Sequence, residues 1–251
     1  MQETYQVMKG AEPFKIEGFR VGVLVSHGFT GTTQSMRPLG KAFADAGYTV
    51  CGVRLKGHGT HYEDMEQSTY EDWIASVEEG YQWLKERCDS IFVVGLSMGG
   101  TLALYMAQHH PEISGIVTIN AAVDVPDMEP VKHRQERYID AIGSDIKKPD
   151  VVELAYEKTP VASVKQILEL MKQVKLDLPR VACPALIMAS TEDHVVPLEN
   201  SNLIYDQISS DQKTFLELKN SYHVATLDND QQQIMEESLT FMKQHAVFDQ
   251  E

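Results

Sequence analysis

Six short apolar runs set what this chain can fold into: Val21–Ser26, Tyr48–Val53, Ile91–Gly95, Gly115–Ile119, Ala185–Ala189 and Thr214–Leu218. Several are rich in Val and Ile and nearly free of charge, as strands buried on both faces must be. Stretches with helical periodicity lie between them. Met36 to Ala46 ends at Gly47, which suits the left-handed position after a helix. Ser68-Thr69-Tyr70-Glu71 reads as a capping box that opens a helix to about Arg87. On that helix Trp73 and Trp83 are both expected in the core. Gly99 to His109 is a small-residue helix stopped before Pro111. A last helix follows Asp230, with Ile234/Met235, Leu239 and Met242 at helical spacing. This alternation predicts an α/β fold: a mostly parallel central sheet with helices on both faces. At 251 residues the chain buries a sizeable core without a disulfide or metal staple.

The rhythm breaks once. Between Asn120 and Pro184 no strand is expected, while Val164, Ile167/Leu168, Met171 and Val174 trace one face of a helix. Residues 121–178 therefore read as a helical cap, set into a core domain formed by 1–120 and 179–251. The cap holds 9 basic and 11 acidic residues, only −2 of the chain's net −15. A nearly neutral cover suits an uncharged, apolar ligand; the plainer alternative is a helical hairpin that only shields the sheet.

The balance of 22 Lys+Arg against 37 Asp+Glu argues against nucleic acid or an anionic membrane as partner. Cys51, Cys88 and Cys183 form no C-x-x-C pair, so neither a disulfide framework nor a cysteine zinc site is expected. Met1 to Arg20 has no apolar leader, and no run approaches 18 apolar residues. A cytoplasmic protein without integral membrane association is the expectation.

The strongest chemical signal is Gly95-Leu96-Ser97-Met98-Gly99, placed between the run Ile91–Val94 and the helix over Thr101–Gln108. Strand, sharp turn and helix are the context in which G-x-S-x-G presents a nucleophilic hydroxyl above the strand ends. The alternative is a glycine-rich turn needed only for packing. A serine alcohol is a weak nucleophile and needs a base. His27, His58 and His61 precede Ser97, against the order Ser…Asp…His. His109 and His110 end a helix, His133 lies in the cap and His245 near the terminus. His223, just after the last apolar run, is the candidate base. Asp193 falls between Ser97 and His223 and is the candidate that orients the imidazole. Glu192 and Asp228 are its rivals, and His194 is expected to face another way.

Acyl transfer also needs donors for the oxyanion. The Met98 N–H starts a helix, and the Phe29 N–H lies in His27-Gly28-Phe29-Thr30-Gly31, right after the first apolar run. His27 is expected to fix that loop by hydrogen bonds. His58 and His61 stand three apart but lack a third ligand at zinc spacing, so a tight glycine turn explains Gly57-His58-Gly59-Thr60-His61 better.

Taken together, these residues resemble the α/β-hydrolase superfamily. The chain is most similar to the small carboxylesterases and monoacylglycerol lipases of bacilli. The likeness is carried over nearly the whole length by Gly10-Ala11-Glu12-Pro13-Phe14, His27–Gly31, Arg54–Thr60, Gly95–Gly100, Ile119–Ala122, Glu192–Pro197 and Asn220–His223. The resemblance implies Ser97, Asp193 and His223 as the triad, and Phe29 and Met98 as the oxyanion hole. It implies a small helical cap after the fold's sixth strand that forms the acyl pocket, and no metal or organic cofactor. The implied substrates are small-molecule carboxylic esters of short to medium acyl chains, including monoacylglycerols, cleaved through an acyl-enzyme. The protein is expected as a monomer or weak dimer. Acyl transfer, perhydrolysis or C–C hydrolysis by the same triad stay open, as does a small-ligand receptor on this scaffold. Within the cap, Glu153 is a lone acid in Val151–Ala155 and a candidate for holding a glycerol hydroxyl; a solvated helix residue is the plainer reading.

Overall fold

The apolar runs become strands of one seven-stranded sheet in a computed structural model that describes residues 3–246. In chain order these are β1 (Phe14–Ile16), β2 (Val21–Ser26), β3 (Thr49–Val53), β4 (Ser90–Leu96) and β5 (Gly115–Ile119), then β8 (Ala185–Ser190) and β9 (Lys213–Leu218). Their spatial order is β1-β3-β2-β4-β5-β8-β9, and every pairing is parallel except β1 on β3.

Burial explains the composition of the runs. Every residue of β2, β3, β4, β5 and β8 is buried, whereas edge strand β9 alternates with solvent. Side chains still alternate in direction along a strand. Val21, Val23 and Val25 pack with Leu39 and Phe43 of α1 (Arg37–Asp45) and with Ile234, Phe241 and Met242 of α7 (Gln231–His245). Leu24 points the other way. It packs with Trp73, Val77 and Leu84 of α3 (Tyr70–Lys85) and with Leu102 and Met106 of α4 (Met98–His109). An unbroken apolar run thus serves two cores at once.

Several details differ from the sequence expectation. β1 escapes it because three half-exposed residues carry no periodicity; Phe14 is held there by lying over Gly40 and Gly52, where β-carbons would meet its ring at 2.7 and 2.2 Å. The capping box is one residue later than read. Thr69 accepts from the Asp72 N–H, and Asp72 accepts from the Thr69 N–H. The Ser68 hydroxyl donates to the Met65 carbonyl and accepts from the buried Trp73 indole instead. Trp83 is only partly buried, flanked by Arg87 and Lys15 over its ring. Two short helices lie outside the sequence expectation: α2 (Tyr62–Gln67), which His61 caps, and α6 (Glu199–Gln207).

Residues 121–178 follow β5, the sixth strand in the fold's own numbering. They contain one α-helix, α5 (Val161–Leu176), whose buried face includes Val164, Ile167, Met171 and Val174 as the periodicity predicts. The rest differs. A 3-10 segment (Pro126–His133) leads to a two-stranded antiparallel ribbon of β6 (Tyr138–Asp140) and β7 (Lys158–Pro160), with non-helical chain between. Three-residue strands carry too little pattern to be legible beforehand. No helix among the described residues is long and apolar enough to cross a membrane.

Phe43 is fully buried on the α1 face and carries no site residue beside it in the helix. Phe43→Ala is expected to lower unfolding stability by about 3–5 kcal/mol, read as a fall in the urea midpoint. A loss under about 1 kcal/mol would show that α1 repacks and does not anchor this face.

Candidate active site

The turn from β4 into α4 brings the site into being. Ser97 has φ 54° and ψ −121°, a conformation L-residues avoid. Such strain costs on the order of 1–3 kcal/mol and persists only where neighbours over-determine it. Here the Ser97 N–H donates to the Ile119 carbonyl at 2.8 Å, and the Ser97 carbonyl accepts from Gly100 and Thr101. The flanking glycines are compulsory: a β-carbon on Gly95 would lie 2.0 Å from the Gly99 carbonyl oxygen, and one on Gly99 would lie 2.2 Å from that of Ser26.

The remaining sequence candidates gather at the same ends of neighbouring strands. His223 follows β9 and Asp193 follows β8. The His223 Nδ1–H donates to Asp193 Oδ2 at 2.7 Å, and the side chains are only 9% and 2% exposed. Asp193 Oδ1 accepts from the Val195 and Val196 N–H groups, both at 2.8 Å, so the carboxylate is fixed by its own turn. Burial works to lower the His223 pKa. The charge and hydrogen bond of Asp193, with the Glu153 and Asp145 carboxylates, outweigh burial and hold it above 6.5.

The loop after β2 closes the site. Gly28 lies close against Ser97: a β-carbon there would be 3.2 Å from Ser97 Cβ. His27 Nδ1–H donates to the Gly28 carbonyl and Nε2 accepts from the Leu55 N–H, which assigns the tautomer. Burial drops its pKa to about 4, so it is a neutral tie and not a base. Neither the Phe29 nor the Met98 N–H donates to another group among the described residues. His58 is buried beneath Phe29 and Trp73, and His61 caps α2. The two histidines thus serve separate structures.

The rivals have other tasks. Asp228 is buried and accepts from Tyr222, Lys147, Lys148 and Asn229 backbone N–H groups. Glu192 pairs with Lys147 at the surface, and His194 turns away to Asp145. Glu153 is not on a helix. The Gln34 amide grips both its neighbours, donating to the Val152 carbonyl and accepting from the Leu154 N–H. This directs the Glu153 carboxyl to Gly31, where a β-carbon would stand 2.6 Å from Oε1. Burial raises its pKa to about 7, although His223 and the Ser35 hydroxyl pull it back.

Sequence reasoning missed Asn120. It sits at φ 48° after β5, and its amide donates to the His223 carbonyl at 2.7 Å and to Ser190 Oγ at 3.0 Å. Its Oδ1 accepts from the Ser190 N–H. A lone Asn ending a charge-free run was the available signal.

A family model described as Hydrolase_4, serine aminopeptidase S33, matches residues 19–151 and 143–230. The chain belongs to this family. It is 62% identical over 249 residues to the thermostable monoacylglycerol lipase of Bacillus sp. strain H-257, covering 98% of this chain and all of that one. It is 30% identical to a carboxylesterase of Bacillus subtilis strain 168, over 92% of this chain and 96% of that one. A solved structure from work on LipS and LipT, two metagenome-derived lipolytic enzymes, superposes with a TM-score of 0.94. It is 51% identical, over 96% of this chain and all of that one. These place the chain among the small bacterial carboxylesterases and monoacylglycerol lipases, with the α/β-hydrolase fold.

Only neutral imidazole can accept a serine proton, so kcat/KM should fall as pH drops through the His223 pKa. Because that value is raised, the acid limb is expected above pH 6.5. In Glu153→Gln the limb should survive and move to lower pH, since one charge favouring imidazolium is gone. A limb that vanishes in this variant would assign it to Glu153.

Proposed function

We propose that this carboxylic ester hydrolase acts on monoacylglycerols and short- to medium-chain esters through an acyl-enzyme on Ser97. The observation that carries the reading is the buried His223–Asp193 hydrogen bond, at the ends of β8 and β9, strands of the same parallel sheet whose β4 leads into the Ser97 turn. In this reading Ser97 Oγ attacks the ester carbonyl while His223 Nε2 takes its proton. Asp193 holds the other ring nitrogen protonated and stabilises the imidazolium. The Phe29 and Met98 N–H groups receive the developing oxyanion; one such donor is worth about 2.7–4 kcal/mol of barrier. His223 then protonates the leaving alcohol, and water repeats the sequence on the acyl-enzyme.

Residues 121–178 act as the cap over this site. Two straps tie them down: 145–148 to the histidine loop, and 152–156 to the loop that carries Phe29. The second strap sets Glu153 against Gly31 and within electrostatic reach of His223, where a carboxyl with a pKa of about 7 can accept from a glycerol hydroxyl once ionised. The monoacylglycerol lipase of Bacillus supports this substrate class. A groove of about 630 Å3 between α5 and the 3-10 segment does not include Ser97. Its lining mixes charged side chains, among them Lys132, Lys172 and Glu169, with apolar Val125, Leu168 and Met171, and holds none of the triad candidates. Cys51, Cys88 and Cys183 are all unpaired, which suits action in a reducing cytoplasm.

Ser97→Ala is expected to lower kcat by roughly 10^6-fold at unchanged stability, and adding His223→Ala should cost little more. Retention of about a tenth of kcat would overturn the assignment. Glu153→Gln should raise KM for monolaurin by about tenfold, the scale of one lost charged hydrogen bond, and leave p-nitrophenyl butyrate nearly unchanged. Equal effects on both esters would remove Glu153 from alcohol recognition. Aminoacyl p-nitroanilides are the control for peptidase activity.

A further inference from the structure

Asp145 lies in the cap segment, far in sequence from the triad candidates, yet its side chain meets two of the loops that carry them. Oδ2 accepts from the His223 N–H at 3.0 Å and from the His194 N–H at 3.2 Å. Oδ1 lies 2.8 Å from His194 Nδ1, and the Asp145 carbonyl accepts from the Val224 N–H at 3.0 Å. His194 directly follows Asp193. One oxygen therefore joins the backbone of the candidate base to the backbone beside the candidate acid.

We propose that Asp145 is a positioning residue that sets the distance between His223 and Asp193. This inference rests on the triad reading and deepens it. The Asp193 and His223 loops also meet at the Nδ1–H···Oδ2 bond, at the His194–Tyr222 ring contact and at the Ser190 Oγ bond to the Tyr222 carbonyl. Among these ties, Asp145 is the one that joins the His223 backbone N–H to the backbone beside Asp193, which fixes the orientation of the imidazole as well as its contact. The His223 N–H also lies in a residue only 7% exposed, so it needs an acceptor.

The surroundings make the clamp directional. Lys147 and Lys148 N–H groups donate to Asp228 at 2.7 and 2.8 Å, and the Tyr222 N–H donates to the same carboxylate at 2.9 Å. The Lys147 ammonium reaches Glu192 at 2.8 Å and lies over the Tyr222 ring. The strap thus grips the histidine loop on both sides of His223 and presses it on the acid loop. A plain fastening of the cap could be made anywhere on the core. This one is made at the base itself, by a carboxylate whose side chain is 13% exposed.

Charge follows from the same placement. The ionisable groups around His223 are Asp193, Glu153 and Asp145, with His194, Lys147 and Glu192 at the outer side of the clamp. Asp145 adds negative potential on the backbone side of the ring, and its removal should lower the proton affinity of the imidazole.

The test compares Asp145→Ala, Asp145→Asn and His223→Ala, each shown folded by circular dichroism and assayed at 25 °C with p-nitrophenyl butyrate. Asn keeps an oxygen that can accept from both N–H groups but carries no charge. Asp145→Ala is expected to lose about 10–100-fold in kcat with KM nearly constant, the scale of a misplacement of about 1 Å. Asp145→Asn should recover most of kcat and shift the acid limb of kcat/KM to lower pH. Wild-type kcat in Asp145→Ala, or an Asn variant no better than Ala with the limb unmoved, would overturn the proposal. The two readings fail separately. If His223→Ala stays active, the triad itself falls. If His223→Ala is inactive while Asp145→Ala is normal, only the clamp falls.

Discussion

Everything at the site is measured from the backbone of Ser97. A serine at φ 54° is held in place because β4, α4 and β2 approach one another more closely than any side chain at 95 or 99 would allow. That approach has three consequences. It lifts the hydroxyl clear of the strand ends. It leaves the Met98 N–H as the first of a helix, with no carbonyl behind it to bond and the helix dipole favouring an anion. It also seats Gly28 against Ser97, so the loop bearing Phe29 is positioned by contact with that residue. The strain is therefore stored where the chemistry needs geometry, and two buried cores on either face of the sheet hold it there.

Around that fixed point the polar network is economical. Asn120 joins the end of β5 to Ser190 at the end of β8 and to the His223 carbonyl after β9. Ser190 Oγ donates in turn to the Tyr222 carbonyl. The His223 loop is thus held from below by strand ends and from above by the Asp145–Lys148 strap. Its imidazole sits among carboxylates in a chain that already carries −15. Desolvation alone would make it a poor base-turned-acid, because imidazolium would be too costly to form. The hydrogen-bonded Asp193 offsets this, and Glu153 and Asp145 add to it.

Much of this was legible in the sequence for a physical reason: long-period features are redundant. Strands buried on both faces announce themselves by unbroken Val and Ile, and Ser97 by glycines that only a tight strand–turn–helix requires. Chain order and position just after the last two apolar runs singled out Asp193 and His223, and the structure brings those two within hydrogen-bonding distance. What stayed illegible depended on single contacts. A capping box reads equally well from Ser68 or Thr69 until Trp73 claims the Ser68 hydroxyl. The ribbon Tyr138–Asp140 with Lys158–Pro160 has three residues on each side and no period. Asp145 and Asn120 look like ordinary loop polar residues, because their partners lie up to 103 positions away.

On the proposed reading, Glu153 and His223 share one electrostatic problem. The Glu153 carboxyl is desolvated enough to titrate near 7, and it is one of the charges that raise the pKa of His223. An ionised Glu153 favours imidazolium and so assists proton transfer from Ser97, but it also draws the resting histidine toward the protonated form that cannot act. A hydroxyl of the alcohol group that donates to Glu153 favours its ionised form, and the ionised carboxylate in turn favours the imidazolium formed when Ser97 gives up its proton. On the proposed reading, an alcohol with a free hydroxyl gains a hydrogen bond and keeps Glu153 charged near the base. An alkyl ester gains neither, which gives residues 121–178 a means of selecting glycerol esters without a charged substrate.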